Sequence, residues 1–173
     1  MAEVGKTRTQ QEVRAYPLVV PGATGRVLVV DDNKVIRQLI RVNLELEGFE
    51  VVTAADGAEC LEIIHRVRPD VVTLDVVMPR LDGLRTAARL RADPRTSGLP
   101  IAIISACTQP EVDSGRAVGV DAFLAKPFEP AEMVRLVRRL MGRGGDEEGE
   151  EAGLPDSAAP GGADAESVGR PAG

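Results

Sequence analysis

The sequence predicts a doubly wound α/β domain, a parallel sheet with helices packed on both faces. Short β-branched runs alternate five times with segments of helical period. Those runs are apolar throughout, which marks strands buried on both faces rather than half-exposed ones. Aromatic residues make up only 2% of the chain, so the core between the layers must be built from Val, Leu, Ile and Ala.

The first unit is the strand "RVLVV" (26–30) followed by "KVIRQLIRVNLELEG" (34–48), in which Ile36, Leu39, Ile40 and Leu44 fall on one helical face and Gly48 stands where a cap ends the helix. "EVVTA" (50–54) and "GAECLEIIHRV" (57–67) form the second. Cys60 lies on the apolar side of that helix and reads as packing, and His65 as a surface or half-buried position away from the strand ends. "DVVTLD" (70–75) closes on a carboxylate at the mouth of a buried strand and leads through "VVMPRLDG" into "GLRTAARLRAD" (83–93). "PIAIIS" (100–105) with "PEVDSGRAVG" (110–119), then "DAFLA" (121–125) with "PAEMVRLVRRLM" (130–141), complete the alternation. In the last helix Met133, Val134, Leu136, Val137 and Leu140 form the core face. Right-handed crossovers and five strands favour the flavodoxin-like order 2-1-3-4-5, whose switch point lies beside strands 1 and 3. Ligands of such sheets bind outside the carboxyl ends of the strands.

Around this domain, set at residues 25–142, residues 1–24 are polar and irregular, and residues 143–173 combine Gly, Pro, Ala and carboxylates with little to bury. Both ends read as disordered tails. The chain has 27 acidic and 21 basic residues, but the excess is local: residues 143–173 hold eight acids and two bases, leaving nineteen of each before them. A neutral body gives no basic footprint, so direct DNA binding is not expected. Cys60 and Cys107 have no C-x-x-C spacing, and with a single histidine they make neither a zinc set nor a disulfide framework. The N-terminus lacks the order of a signal peptide, and "YPLVVPGA" is too short and proline-broken to span a membrane. The expectation is a cytoplasmic protein with no membrane partner.

The residues that close the strands carry the chemistry. Strand 1 ends at Asp31 and Asp32, strand 3 at Asp75, strand 4 at Ser105, and Lys126 follows strand 5. Carboxylates gathered at one sheet edge repel one another unless a cation neutralises them. All-oxygen ligation with open water positions suits Mg2+, or Mn2+, and not zinc. An ammonium and a hydroxyl donor beside the metal are groups that serve phosphoryl oxygens, so the set describes a site where an aspartyl phosphate can form.

With the acidic pair in "VLVVDDN", the context "LDVVMPRLDG", the small hydroxyl in "IISA", and "DAFLAKPF", the sequence resembles a response-regulator receiver domain of two-component signalling (the CheY-like superfamily) over residues 25–142. The resemblance implies Asp75 as phospho-acceptor, Asp32 and Asp75 as direct magnesium ligands, Asp31 holding the ion through water, and the Val77 backbone carbonyl as a further ligand. It implies that Lys126, before Pro127 in a cis peptide, pairs with the phosphoryl group. Ser105 and Phe123 would be the switch pair, coupling phosphorylation to the face made by helix 4, strand 5 and helix 5. Where many relatives carry polar residues this chain has Val77 and Cys107, which are expected to shield the acyl phosphate and lengthen its life.

Plainer readings stand beside these. Asp31 and Asp32 can cap the first helix, Asp82-Gly83 can be only a turn, and Lys126 only a solvated lysine. A strand-end carboxylate facing two others has no such structural use. The acidic tail holds no apolar period from which an output domain could be built, so the expectation is a stand-alone receiver. It would accept a phosphoryl group from a sensor histidine kinase or phosphotransfer protein and signal by protein contact, without other enzymatic activity. The alternative is a receiver-shaped scaffold that works without phosphorylation. A haloacid-dehalogenase-like phosphatase is disfavoured, since "DDNK" places the acids adjacent rather than in D-x-D spacing.

Overall fold

The computed structural model describes residues 24–142. Five strands, β1 (Arg26–Val30), β2 (Glu50–Ala54), β3 (Val71–Leu74), β4 (Ile101–Ser105) and β5 (Ala122–Ala125), alternate with α1 (Lys34–Leu46), α2 (Gly57–Val67), α3 (Gly83–Ala92), α4 (Gln109–Val118) and α5 (Pro130–Gly142). The sheet runs β2-β1-β3-β4-β5 with every pairing parallel, the order the sequence predicts.

Strand periodicity sorts the core into two layers. Leu28, Val30, Leu74, Ile101 and Ile103 face α2 and α3, where they meet Cys60, Ile64, Ala87 and Leu90. Val27, Val29 and Ile104 point to the other face and meet Ile40 and Leu44 of α1 with Met133 and Val137 of α5. Each such buried aliphatic contributes on the order of 2 kcal/mol. All five apolar residues of α5 anticipated as core are buried.

Helix α1 departs from the sequence reading at one position. Ile40 and Leu44 are buried and Ile36 packs against them, but Leu39 is 47% exposed and joins Val35, Val42 and Leu46 in an apolar stripe facing solvent. One step along a helix turns about 100° about its axis, so a face seated on a sheet through Ile36, Ile40 and Leu44 leaves residue 39 on its shoulder.

Cys60 has no exposed surface, and burial, reinforced by the charges of Asp56 and Glu59, pushes its thiol up to about 12. Cys107 is half-buried. At mildly alkaline pH a thiol reagent is therefore expected to label Cys107 alone in the folded protein, and Cys60 only after denaturation. Peptide mapping of labelled protein checks this; rapid native labelling of Cys60 contradicts its placement.

The tails predicted at residues 1–24 and 143–173 lie outside the described residues apart from Thr24, whose amide donates to the Gly48 carbonyl (2.9 Å). Among the described residues no helix is long and apolar enough to cross a membrane.

Candidate functional site

Register places the site. Val30 pairs with Leu74 and Leu74 with Ile103, so β1 and β3 end side by side while β4 runs two residues further to Ser105, and the residues that follow emerge at one edge. The Asp75 amide donates to the Val30 carbonyl (2.9 Å), extending the ladder by one bond past both strands. Asp31 and Asp75 therefore stand together because two strands stop at the same level, with Asp32 next along the chain. Oxygens of the three carboxylates lie within 4.8 Å of one another, and these are the residues that could hold a metal ion.

The three differ in environment. Asp31 is 2% exposed; its Oδ1 accepts from the Asn33 amide (2.8 Å) and its Oδ2 from Lys126 Nζ (2.9 Å). Asp75 is partly buried, accepts from the Val76 amide (2.8 Å) and keeps Oδ2 3.4 Å from the same ammonium. Asp32 faces solvent. Lys126 hangs from the end of β5, where its amide donates to the Ser105 carbonyl (2.7 Å) and its peptide with Pro127 is cis.

Burial pushes Asp75 upward, and Asp31 adds to this while Lys126 and the Val76 amide oppose it; the carboxyl ends above its ordinary range. Burial works against the Lys126 ammonium, but hydrogen bonds and charge from Asp31 and Asp75 prevail and hold it above its ordinary value. One ammonium against three carboxylates leaves an excess of negative charge at the edge. At an effective dielectric of 20, like charges 4 Å apart repel by about 4 kcal/mol, so a hard cation with oxygen preference suits this donor set.

The capping reading of the acidic pair does not hold. Asn33 caps α1 with its own side chain, accepting from the Val35 and Ile36 amides. Asp82 is more than a turn residue: it is the N-cap of α3 and accepts from the Arg85 amide (2.8 Å). The next residue must be glycine because a Cβ on Gly83 would sit 2.0 Å from the Asp75 carbonyl oxygen. The start of α3 thus packs directly on the backbone of the candidate acceptor.

Between Asp75 and Asp82, the Val77 side chain is 75% exposed at the rim. The loop that carries it is pinned by the ion pair of Arg80 with Asp56 (2.7 Å) and by the Gly57 amide on the Leu81 carbonyl. Burial opposes the Asp56 charge, yet the Glu59 amide and the Arg80 guanidinium outweigh it and lower the carboxyl below its ordinary value. Sequence reading missed this pin, since nothing in the spacing of residues 56 and 80 couples them.

Ser105 is buried at the end of β4; its Oγ accepts from the Cys107 amide (3.0 Å) and donates to Glu111 Oε2 (3.2 Å). The same carboxylate oxygen accepts from the Thr108 amide (2.9 Å), the return arm of a capping box at the start of α4. Glu111 also escaped the sequence reading, although Thr108-x-x-Glu111 is the spacing that announces such a box. Phe123 on β5 is half-buried with its ring over Gly115 of α4, where a Cβ would come within 2.7 Å of it. His65 pairs with Asp93 (3.1 Å) in the packing of α2, apart from these residues.

Fold and pocket together define a doubly wound α/β domain with a carboxylate–lysine centre at its topological switch point. The family model for the response regulator receiver domain matches residues 27–138. The chain belongs to that family. It is 36% identical over 119 residues to RpaA of Synechocystis sp., described as a DNA-binding dual master transcriptional regulator, covering 68% of this chain and 49% of RpaA. It is 41% identical over 135 residues to the response regulator MprA of Mycobacterium sp., covering 78% of this chain and 56% of MprA. Among solved structures it is similar to the chemotaxis protein CheY4 of Vibrio cholerae, with a TM-score of 0.65, 37% identity, and coverage of 68% of this chain and 99% of CheY4.

One expectation is corrected by these relatives. The chain spans about half the length of RpaA and MprA, and RpaA is named as DNA-binding. The inference from a neutral charge balance that no DNA partner is involved fails, because that balance describes only the surface of the receiver. It carries no information about the part of those relatives that this chain does not span, and a receiver sequence alone does not define its partners.

Proposed function

We propose that this receiver accepts a phosphoryl group on Asp75 from a phosphohistidine of a sensor histidine kinase or phosphotransfer protein in the cytoplasm. The observation that carries the reading is the cluster of three carboxylates within 4.8 Å, with Lys126 reaching both Asp31 and Asp75. In the transfer an Asp75 carboxylate oxygen attacks phosphorus, the phosphorus–nitrogen bond breaks, and the imidazole leaves with the electron pair. Positioning and charge neutralisation are the main demands of such a step. Asp31, Asp32, Asp75 and the Val77 carbonyl would hold Mg2+ or Mn2+, which supplies positive charge for the equatorial oxygens. Lys126 would pair with one such oxygen, and the Ser105 hydroxyl would donate to another. No catalysis is assigned beyond this transfer and the hydrolysis of the resulting acyl phosphate.

Intact-mass analysis of the full chain with acetyl phosphate tests the proposal. A single phosphate adduct that requires magnesium is expected. No adduct, with magnesium also failing to bind, moves the weight to a scaffold that works without phosphorylation.

Two further outcomes follow from particular side chains. Val77 is an apolar, exposed rim residue beside the acceptor, where it keeps water from being held for attack. Val77→Asn is expected to speed loss of the phosphoryl group severalfold, measured by loss of the adduct after the donor is removed; an unchanged lifetime refutes the shielding role. The apolar stripe Val35, Leu39, Val42 and Leu46 begins just past the acidic pair, so a partner seated there could present its phosphohistidine to Asp75. Leu39→Asp is expected to slow transfer from a phosphorylated kinase at least tenfold while leaving the acetyl phosphate reaction unchanged. Equal rates from the kinase exclude this stripe as its seat.

A further inference from the structure

We propose that Glu111 is a positioning residue that holds the Ser105 hydroxyl away from the acceptor site and thereby sets how readily the domain switches. This rests on the reading of Asp75 as phosphoryl acceptor given above. The geometry is a closed ring in the β4–α4 loop. Ser105 Oγ donates to Glu111 Oε2 (3.2 Å), with Cys107 Sγ a longer second acceptor (3.8 Å), and accepts from the Cys107 amide (3.0 Å), while Glu111 Oε2 also takes the Thr108 amide (2.9 Å).

A serine hydroxyl has one proton to donate. Phosphoryl oxygens are acceptors, so Ser105 can serve them only by giving up the bond it now donates to Glu111. The two bonds are mutually exclusive, and the carboxylate and the phosphoryl group compete for a single hydroxyl.

The exchange leaves the cap of α4 intact. When Ser105 leaves, Glu111 keeps the Thr108 amide, so the start of α4 stays capped while its link to β4 opens. Both acceptors in the competition are charged, but at 3.2 Å the bond to Glu111 is long for its class and is the weaker of the two. Glu111 is therefore a setting for the switch rather than a lock. Part of the phosphoryl group's interaction energy is spent breaking the ring, so removing the carboxylate favours the switched state by roughly tenfold, the net worth of one hydrogen bond.

A double-mutant cycle on the full chain tests this. The probe is beryllium fluoride with magnesium, a mimic of the phosphoryl group on a carboxylate, and binding is followed by backbone amide NMR shifts of the β4–α4 loop and β5. Glu111→Ala is expected to lower the half-saturating beryllium fluoride concentration by about tenfold and to move the ligand-free shifts towards the bound end. Glu111→Gln, which retains an acceptor for the Thr108 amide but no charge, is expected to fall between Glu111→Ala and the parent. In a Ser105→Ala background the effect of Glu111→Ala should vanish, because the hydroxyl it competes for is gone. An effect of equal size with and without the Ser105 hydroxyl overturns the proposal and leaves Glu111 as a helix cap alone. Failure of the parent protein to bind beryllium fluoride overturns the acceptor reading and this inference together, an outcome distinct from the first.

Discussion

Replacing Asp75 by Asn is expected to abolish the phosphate adduct entirely while leaving the fold as stable as before, or more so. The side-chain amide keeps the shape of the carboxylate but is a poor nucleophile, and no neighbour can take its place. Asp31 is buried with its oxygens engaged by the Asn33 amide and by Lys126, and Asp32 points to solvent. The stability side follows from the Asp75 carboxyl being held above its ordinary range, where burial and the Asp31 charge disfavour its ionised form more than Lys126 supports it. A neutral residue there removes repulsion, and Lys126 keeps its shorter contact with Asp31 at 2.9 Å. A gain of up to about 1 kcal/mol is reasonable for a partly exposed group at this edge. Intact mass and a thermal melt on the same preparation separate the two effects. Lost adduct with an unchanged or raised melting temperature assigns the chemistry to Asp75, whereas an adduct of undiminished yield excludes it as the acceptor.

The sheet and the carboxylate cluster were legible in the sequence for one reason: both depend on where strands stop. Apolar runs without alternation mark buried parallel strands, and the polar residues that end them must emerge at the carboxyl edge. That rule locates Asp31, Asp32, Asp75, Ser105 and Lys126 without knowledge of any side-chain contact. What escaped depends on directions around a helix and on loop geometry. Periodicity placed Leu39 with Ile36 and Ile40, but it cannot say how wide a stripe the sheet covers, and α1 buries a narrow one. The Arg80–Asp56 pin joins positions 24 residues apart through a loop whose path no pattern encodes. Glu111 lay between these cases, since its capping-box spacing was readable while its second bond, to Ser105, was not.

Replacing Lys126 by Met is expected to cost stability that magnesium restores, because among the described residues the lysine is the one cation paired with the clustered carboxylates, reaching both Asp31 and Asp75. Asp31 is 2% exposed, and without the ammonium its charge is left against Asp75 with only the Asn33 amide in support. Breaking a fully buried pair costs about 3–5 kcal/mol; since the Lys126 side chain keeps 22% of its exposure, roughly 2 kcal/mol is the fitting figure here. For a domain of this size that is a fall of about 5–10 °C in melting temperature. The sign with pH is set by the raised ionisation of Lys126. Its contribution is fully present below the unfolded lysine value, about 10.4, and is lost as pH rises through the higher folded value, so the two proteins converge only in strong alkali. A divalent cation bound by the carboxylates supplies the charge that methionine lacks, so magnesium should raise the melting temperature of the variant more than that of the parent. Phosphorylation by acetyl phosphate, which also needs the ammonium on a phosphoryl oxygen, should fall at least tenfold even with magnesium saturating. If magnesium raises both melting temperatures equally, the ion and the lysine do not share one cluster of charge, and the reading of the pocket as a single electrostatic unit fails.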